Sequence, residues 1–430
     1  MTGCLRTPTA DTVAVATSPA IHQDPGIRRL LAAGLLGSLI RWLEVLVFGI
    51  FTYQQTQSAA WVASMTMLRM LPMGLFGVLF GSLAGRISRR KALIVTQSVL
   101  LTTTLVLCTV AEWGTLSVWH LAAASFINGT AWAGDMPLRR GLMGDMAGPL
   151  RMGQAMAMDA VANNGCRLLG PGLGGLLLGH GGMTSVFLFA AVLYVPVLIS
   201  MVTLVDHTTS SQATRPSIAS MLIGGLQTAR DSARLRSVLC ITMIFNLFAW
   251  PVLSMVPVIG EERLHLSTQG IGLLASMDGF GALIGAMVLM VVSQRSRYGH
   301  LYVGGVFVFL LALPFFAWSQ IAWITGAALL VVGIGQSGFG AMQATLVYVS
   351  APADRRGQAL GLLTMCIGVA PLGFLTVGWL ANALGAPAAV VICGSCGLIS
   401  MGLTRSIWRR CLGDPDVHPS SPSAQPAPSP

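Results

Sequence analysis

Seven charged side chains stand inside long apolar stretches of this sequence: Arg41, Glu44, Arg69, Asp135, Asp159, Arg167 and Asp278. A charge in apolar surroundings is costly, so it points to a task that needs it, such as proton transfer, an ion pair or a substrate site. Arg41 and Glu44 are three apart and can meet on one helical face. Burial disfavours the charged form of Glu44, while a neighbouring arginine favours it. A carboxyl that alternates between those surroundings takes up and releases a proton. Glu44 is therefore the candidate proton-coupling carboxylate, with Arg41 or Arg69 as its partner. The competing reading is a permanent Glu–Arg pair that fixes two helices. Asp278 is a second substrate or proton candidate, and Arg167 is expected at the same middle depth. Asp135 and Asp159 are expected nearer one surface, as gate or interface residues. Asn246 is an uncharged candidate. Asn128, Asn163, Asn164, Gln336 and Gln343 could also face a cavity, and Trp132, Trp250 and Phe245 could stack on an aromatic substrate. For all of these, Asn246 included, helix packing is the simpler reading.

The elements that hold these residues follow from composition. Of 430 residues, 25 are Lys or Arg and 15 are Asp or Glu, so 9% are charged while 54% are hydrophobic. An ordinary soluble domain carries about 25% charge. So few charges cannot cover a soluble surface of this size, which excludes most soluble enzyme classes. A bilayer core needs about 20 apolar helical residues. That length gives twelve spans, at about 30–53, 59–84, 92–111, 117–136, 153–178, 184–205, 237–259, 268–292, 300–319, 322–349, 358–381 and 387–405. At about 1.5 Å per residue, Glu44 and Arg69 fall at similar depth on neighbouring helices.

The net charge of +10 is explained by topology. With the N-terminus inside, 21 of the 25 basic residues fall in inside segments, Arg263 alone falls in an outside loop, and Arg41, Arg69 and Arg167 lie within spans. That asymmetry is the positive-inside pattern, so both termini are expected to be cytoplasmic and no nucleic-acid partner is needed. Residues 1–27 read as a disordered cytoplasmic tail, 28–205 as one six-helix bundle and 206–236 as a cytoplasmic linker with an amphipathic helix around 216–234. Residues 237–407 read as a second bundle, and 408–430 as a disordered Pro/Ser-rich tail. The halves look duplicated. Arg151-Met-Gly-Gln-Ala opens the fifth span and Arg355-Arg-Gly-Gln-Ala the eleventh, and Gly170-Pro171 and Ala370-Pro371 lie within the same two spans. The eight cysteines are scattered, and Cys393-x-x-Cys396 reads as small residues on a membrane helix. The seven histidines are dispersed, so no metal site is expected.

Gly81-Ser-Leu-Ala-Gly-Arg86-Ile-Ser-Arg89-Arg90-Lys91 resembles the loop signature of the major facilitator superfamily, G-x-x-x-D-R-x-G-R-R/K. Gly81, Arg86, Arg89 and Arg90 match, while Gly85 and Ser88 replace the usual Asp and Gly. The resemblance implies a gating role for those four residues. In that family the Asp helps to close the cytoplasmic gate, and Gly85 here lacks its carboxylate, which leaves open whether the gate is anchored in the same way. Gly170-Pro171-Gly172-Leu173-Gly174-Gly175 resembles the end of the antiporter signature, G-P-x-x-G-G, while Ala157 and Cys166 stand where its upstream glycines are expected. Arg41-Trp42-Leu43-Glu44, Leu68-Arg69-Met70-Leu71-Pro72 and Asn128-Gly129 with Arg139-Arg140 resemble drug and siderophore exporters of the enterobactin-exporter type.

The expectation is an all-α integral membrane protein of twelve helices in two six-helix halves, lying in the inner (cytoplasmic) membrane as a monomer. It is expected to move a small organic molecule by alternating access, as a proton-coupled exporter. No cofactor beyond the proton motive force is expected, and no enzyme activity. No Walker motif suggests direct use of ATP. An importer or facilitator of the same fold, or a transport-inactive membrane sensor, is the alternative.

Overall fold

The computed structural model describes residues 24–83, 88–204, 218–352 and 355–412. All but 24–27 and 408–412 of the expected tails lie outside these residues, as does 206–217 of the linker. Helix α1 (Pro25–Thr56) begins before the expected first span. Asp24 accepts from the backbone N–H of Gly26 and Ile27, and Pro25 fits the first helical position, so the polar segment itself starts the helix. Helices α2 (Ala59–Leu83) and α3 (Arg89–Glu112) follow.

Helix α4 (Val118–Val202) runs through two breaks, at Gly148 (φ 68°) and Gly182 (φ 64°). A left-handed residue turns the chain out of the helix, and glycine adopts that conformation without a Cβ penalty. The breaks fall between the fourth, fifth and sixth expected spans. After α5 (Ile218–Asp231), the stretch 233–262 is helical but irregular. It runs from α6 (Ala233–Ile244) through a wide turn at 245–249 and a tight one at 250–255 into α7 (Val256–Glu262). Pro251 and Pro257 lack the N–H groups a regular helix would use there. Helices α8 (Thr268–Val292), α9 (Tyr298–Trp318), α10 (Ala322–Ser350), α11 (Arg356–Ile367), α12 (Ala370–Leu384) and α13 (Ala386–Leu403) complete the described bundle.

Ten segments among the described residues are long and apolar enough to cross a membrane. One of them, 151–202, covers the fifth and sixth expected spans, and 117–136 is not among the ten.

Burial of apolar surface does not drive helices together in lipid, so close packing must. Gly281 lies against the backbone of Leu330, and Gly333 against the backbone of Asp278, each without room for a Cβ. These contacts lock α8 to α10. Trp113, Trp119, Trp318 and Trp323 stand exposed beside the loops 113–117 and 319–321. Amphipathic rings in that position suit the boundary between lipid and water.

Candidate functional site

Glu44 on α1 is 1% exposed and Arg69 on α2 is 4% exposed, so neither charge has water as its main partner. Arg69 Nη2 donates to Glu44 Oε2 at 2.8 Å, and Asn128 Nδ2 on α4 donates to the same oxygen at 2.8 Å. Three helices therefore meet on one carboxylate. Of the two expected partners, the structure selects Arg69. Arg41, three residues from Glu44, turns instead to Trp132, with its guanidinium carbon 5.0 Å from the ring centroid. Arg41 makes no ion pair or hydrogen bond among the described residues.

Asp278 is not alone. Arg167 Nε donates to its Oδ2 at 2.8 Å, Arg167 Nη2 donates to that oxygen and to Gln336 Oε1 on α10, and the guanidinium also lies 5.2 Å from the Trp42 ring centroid. This pair joins α4 to α8 across the two halves of the chain. The backbone makes it possible, because Gly279 packs directly against the Arg167 carbonyl. Arg167→Ala should leave Asp278 buried without its cation, at a cost of roughly 3–5 kcal/mol. A melting curve in detergent should show a large loss, which Asp278→Asn in the same chain should partly restore. Equal melting of Arg167→Ala and the parent protein would contradict the pairing.

A cavity of about 170 Å³ lies beside these pairs. Its wall includes Arg41, Trp42, Arg69, Trp132, Asn163 and Arg167 from the first half of the chain, and Trp250, Ser254, Pro257, Asp278 and Phe374 from the second. A narrower cavity within the first half shares Arg41 and Arg69, and passes Gln97, Asn128, Asp135 and Arg139. There Asp135 accepts from Gln97 Nε2 at 3.0 Å and pairs with Arg139 at 3.4 Å, and Arg139 also binds Asp159. Asp135 and Asp159 are thus linked by one arginine.

Asn246 and Phe245 are among the candidates that fall outside the cavity wall. Asn246 is buried, and its Nδ2 donates to the Thr242 carbonyl at 2.8 Å, one turn back on its own helix. Phe245 stacks on Phe339 with centroids 3.8 Å apart, in the core of the second half. Packing takes both side chains.

In the loop signature, Arg86 lies outside the described residues and Gly81 sits in the last turn of α2. Arg89 pairs with Asp145. Arg90 donates to the carbonyls of Met201 (3.3 Å) and Val202, the last turn of α4, where a cation suits the helix dipole. In the antiporter-like motif, Gly170 and Gly174 pack on α1, against Trp42, Leu43 and Val47. Gly175 faces α8, where an added Cβ would lie 2.5 Å from the Thr268 carbonyl oxygen and 2.9 Å from the Gly272 Cα. The carbonyl of Pro171 lies close to Gly272 as well. These small residues let α4 touch helices from both halves.

Sequence reasoning missed the Arg167–Asp278 pairing and the role of Asn128. Their spans and depths were readable; which faces turned together was not.

Residues 17–428 match the transmembrane secretion effector family. The chain belongs to that family, within the major facilitator superfamily. Relatives of this secretion-effector transporter include an uncharacterized MFS-type transporter, YfiS, of Bacillus subtilis, 24% identical over 408 residues, 91% of this chain and 95% of that protein. The staphyloferrin A transporter of Staphylococcus aureus is 20% identical over 347 residues, 80% of this chain and 86% of that protein. Among solved structures, a mutant of the nucleoside transporter NupG superposes with a TM-score of 0.74 at 12% identity, covering 89% of this chain and 99% of the other. A bacterial homolog of the human lysosomal transporter Spinster, inward-facing and unoccupied, gives 0.71 at 14% identity, covering 93% and 100%. At such identities the likeness is one of fold. The secretion-effector transporter thus has the major facilitator architecture, with the cavity where its two halves meet.

Proposed function

We infer that this protein exports a small organic molecule across the cytoplasmic membrane by alternating access, coupled to proton entry. The observation that carries this reading is the cavity between the halves, whose wall includes Arg69, the ion-pair partner of buried Glu44, and the buried Arg167–Asp278 pair. The first pair lies within one half, where it can respond to protonation. The second crosses the halves, where it must open if they rock apart. Glu44 is the proton-coupling group, held by Arg69 and Asn128. The reading draws further support from the siderophore transporter among the relatives.

Several contacts between the halves lie at the face expected outside. Tyr53 donates to Glu262, Ser58 Oγ lies 3.2 Å from Asn382 Oδ1, and Gln269 lies 3.4 Å from His180. This pattern fits a state closed on the outer side. The topology proposed is twelve crossings with both termini cytoplasmic. The breaks at Gly148 and Gly182 and the exposed tryptophans on the face opposite the basic loops support it. The protein works as a monomer on this account, driven by the proton motive force.

Tyr53→Phe should weaken the outer closure by about 1 kcal/mol. With Ser254→Cys as a reporter in the cavity wall, labelling by an impermeant maleimide from outside should rise about fivefold. Unchanged labelling would contradict the latch. Export itself is tested in a deletion strain exposed to a panel of toxic compounds and assayed for siderophore release. The reading expects sensitivity or lost release, restored by the intact gene. No change across both assays would oppose it.

A further inference from the structure

Three arginines line the central cavity, and they are not equivalent. Arg69 is bound to Glu44 and Arg167 to Asp278, each at 2.8 Å. Arg41 lines the same wall with no carboxylate partner among the described residues. Asp135 shares the neighbouring cavity with Arg41, but Arg139 and Gln97 hold it. A cation at membrane depth without a paired anion is costly. A ligand that brings an anion to it gains a charge-assisted hydrogen bond in a site partly withdrawn from water.

The surroundings of Arg41 define the rest of the ligand. Trp132 lies beneath its guanidinium at 5.0 Å. Trp42 lies in the same wall, and Trp250 and Phe374 meet edge to face, 5.6 Å between centroids, in the wall contributed by the second half. Aromatic faces on both sides of a cavity favour a flat, apolar body between them. Asp278 is the only carboxylate in the described wall and is already neutralised, so a cationic ligand would meet arginines without a free anion.

We propose that the central cavity takes an organic anion with a flat aromatic body, its anionic group anchored by Arg41 and its body held between the tryptophans of the two halves. This rests on the transporter reading above, since it names the cargo class of that cavity.

The test is equilibrium binding to the purified full chain in lipid nanodiscs, followed by tryptophan fluorescence. The probes are 1-naphthoate, the neutral 1-naphthamide and the cationic 1-naphthylmethylammonium. The carboxylate should bind about tenfold more tightly than the amide, the size of one hydrogen bond to a charged group, and the ammonium should bind more weakly than either. Arg41→Gln should remove the preference for the carboxylate, and Arg41→Lys should keep part of it. Amide or ammonium binding as tight as that of the carboxylate, or no carboxylate binding into the millimolar range, would overturn the proposal. So would an unchanged preference in Arg41→Gln. Counterflow of labelled naphthoate in proteoliposomes separates the two readings. Binding without counterflow keeps the anion site and opposes transport, whereas counterflow of the ammonium in preference to naphthoate keeps transport and overturns the anion class.

Discussion

Gly175→Leu is expected to hold the transporter open at its outer end and stop its cycle. Gly175 faces Thr268 and Gly272 on α8, and even a Cβ would lie 2.5 Å from the Thr268 carbonyl oxygen. The obstacle is backbone, so no side-chain rotation relieves it. α4 and α8 must separate by the thickness of the added side chain. Overpacking of this kind costs roughly 1–3 kcal/mol. In an equilibrium between two states, that shifts the population about 5- to 150-fold toward the state in which these helices are apart. The Ser254→Cys reporter should label from the outer face much faster in this variant, and transport should fall with it. Slow labelling together with normal transport would show that the 170–175 motif is packing alone. Gly153 provides a control, because an added Cβ there meets no atom within 4 Å. Gly153→Ala should leave labelling and transport near their original values.

Glu44→Gln is expected to leave the protein folded, with a lowered melting temperature because buried Arg69 loses its anion, and to uncouple it. The amide is nearly the same size as the carboxyl, and its oxygen can still accept from Arg69 and Asn128 in place of Oε2. What it cannot do is exchange a proton. Proton-driven accumulation should disappear while facilitated movement down a concentration gradient persists. Arg69→Ala should behave differently. It leaves a carboxylate buried without its cation, at a cost of roughly 3–5 kcal/mol, and should lower the melting temperature as well as activity. If Glu44–Arg69 were only a structural clamp, Glu44→Gln would lower melting but leave the dependence on the pH gradient intact. The two variants together separate a proton carrier from a strut.

The membrane-embedded charges were legible because a bilayer leaves so few of them. Glu44 and Arg69 could be assigned to the same depth from helix rise alone, and the structure joins them at 2.8 Å. The partner of Asp278 could not be read in that way. Arg167 lies 111 residues away on another half of the chain, and nothing local to either residue records which helix faces meet. The glycines at 279 and 175 that bring α4 and α8 together carry the information, but a sequence shows a glycine without showing what it touches. Asn246 follows its simpler reading, helix packing. It is polar and at membrane depth, yet its Nδ2 donates to a carbonyl four residues back, a partner its own helix supplies. The turns at Gly148 and Gly182 were readable as span boundaries only through the apolar ruler, because glycine is also common inside these helices.

Proton movement measured directly in liposomes tests the account most sharply. Purified protein is reconstituted with a pH-sensitive dye inside, and a transported compound is applied as an outward or inward gradient with no initial pH difference. The parent protein should drive protons opposite to the compound, and Glu44→Gln should carry the compound with no accompanying pH change. A pH change of parental size in Glu44→Gln, at equal compound flux, would contradict the assignment of Glu44 as the coupling group.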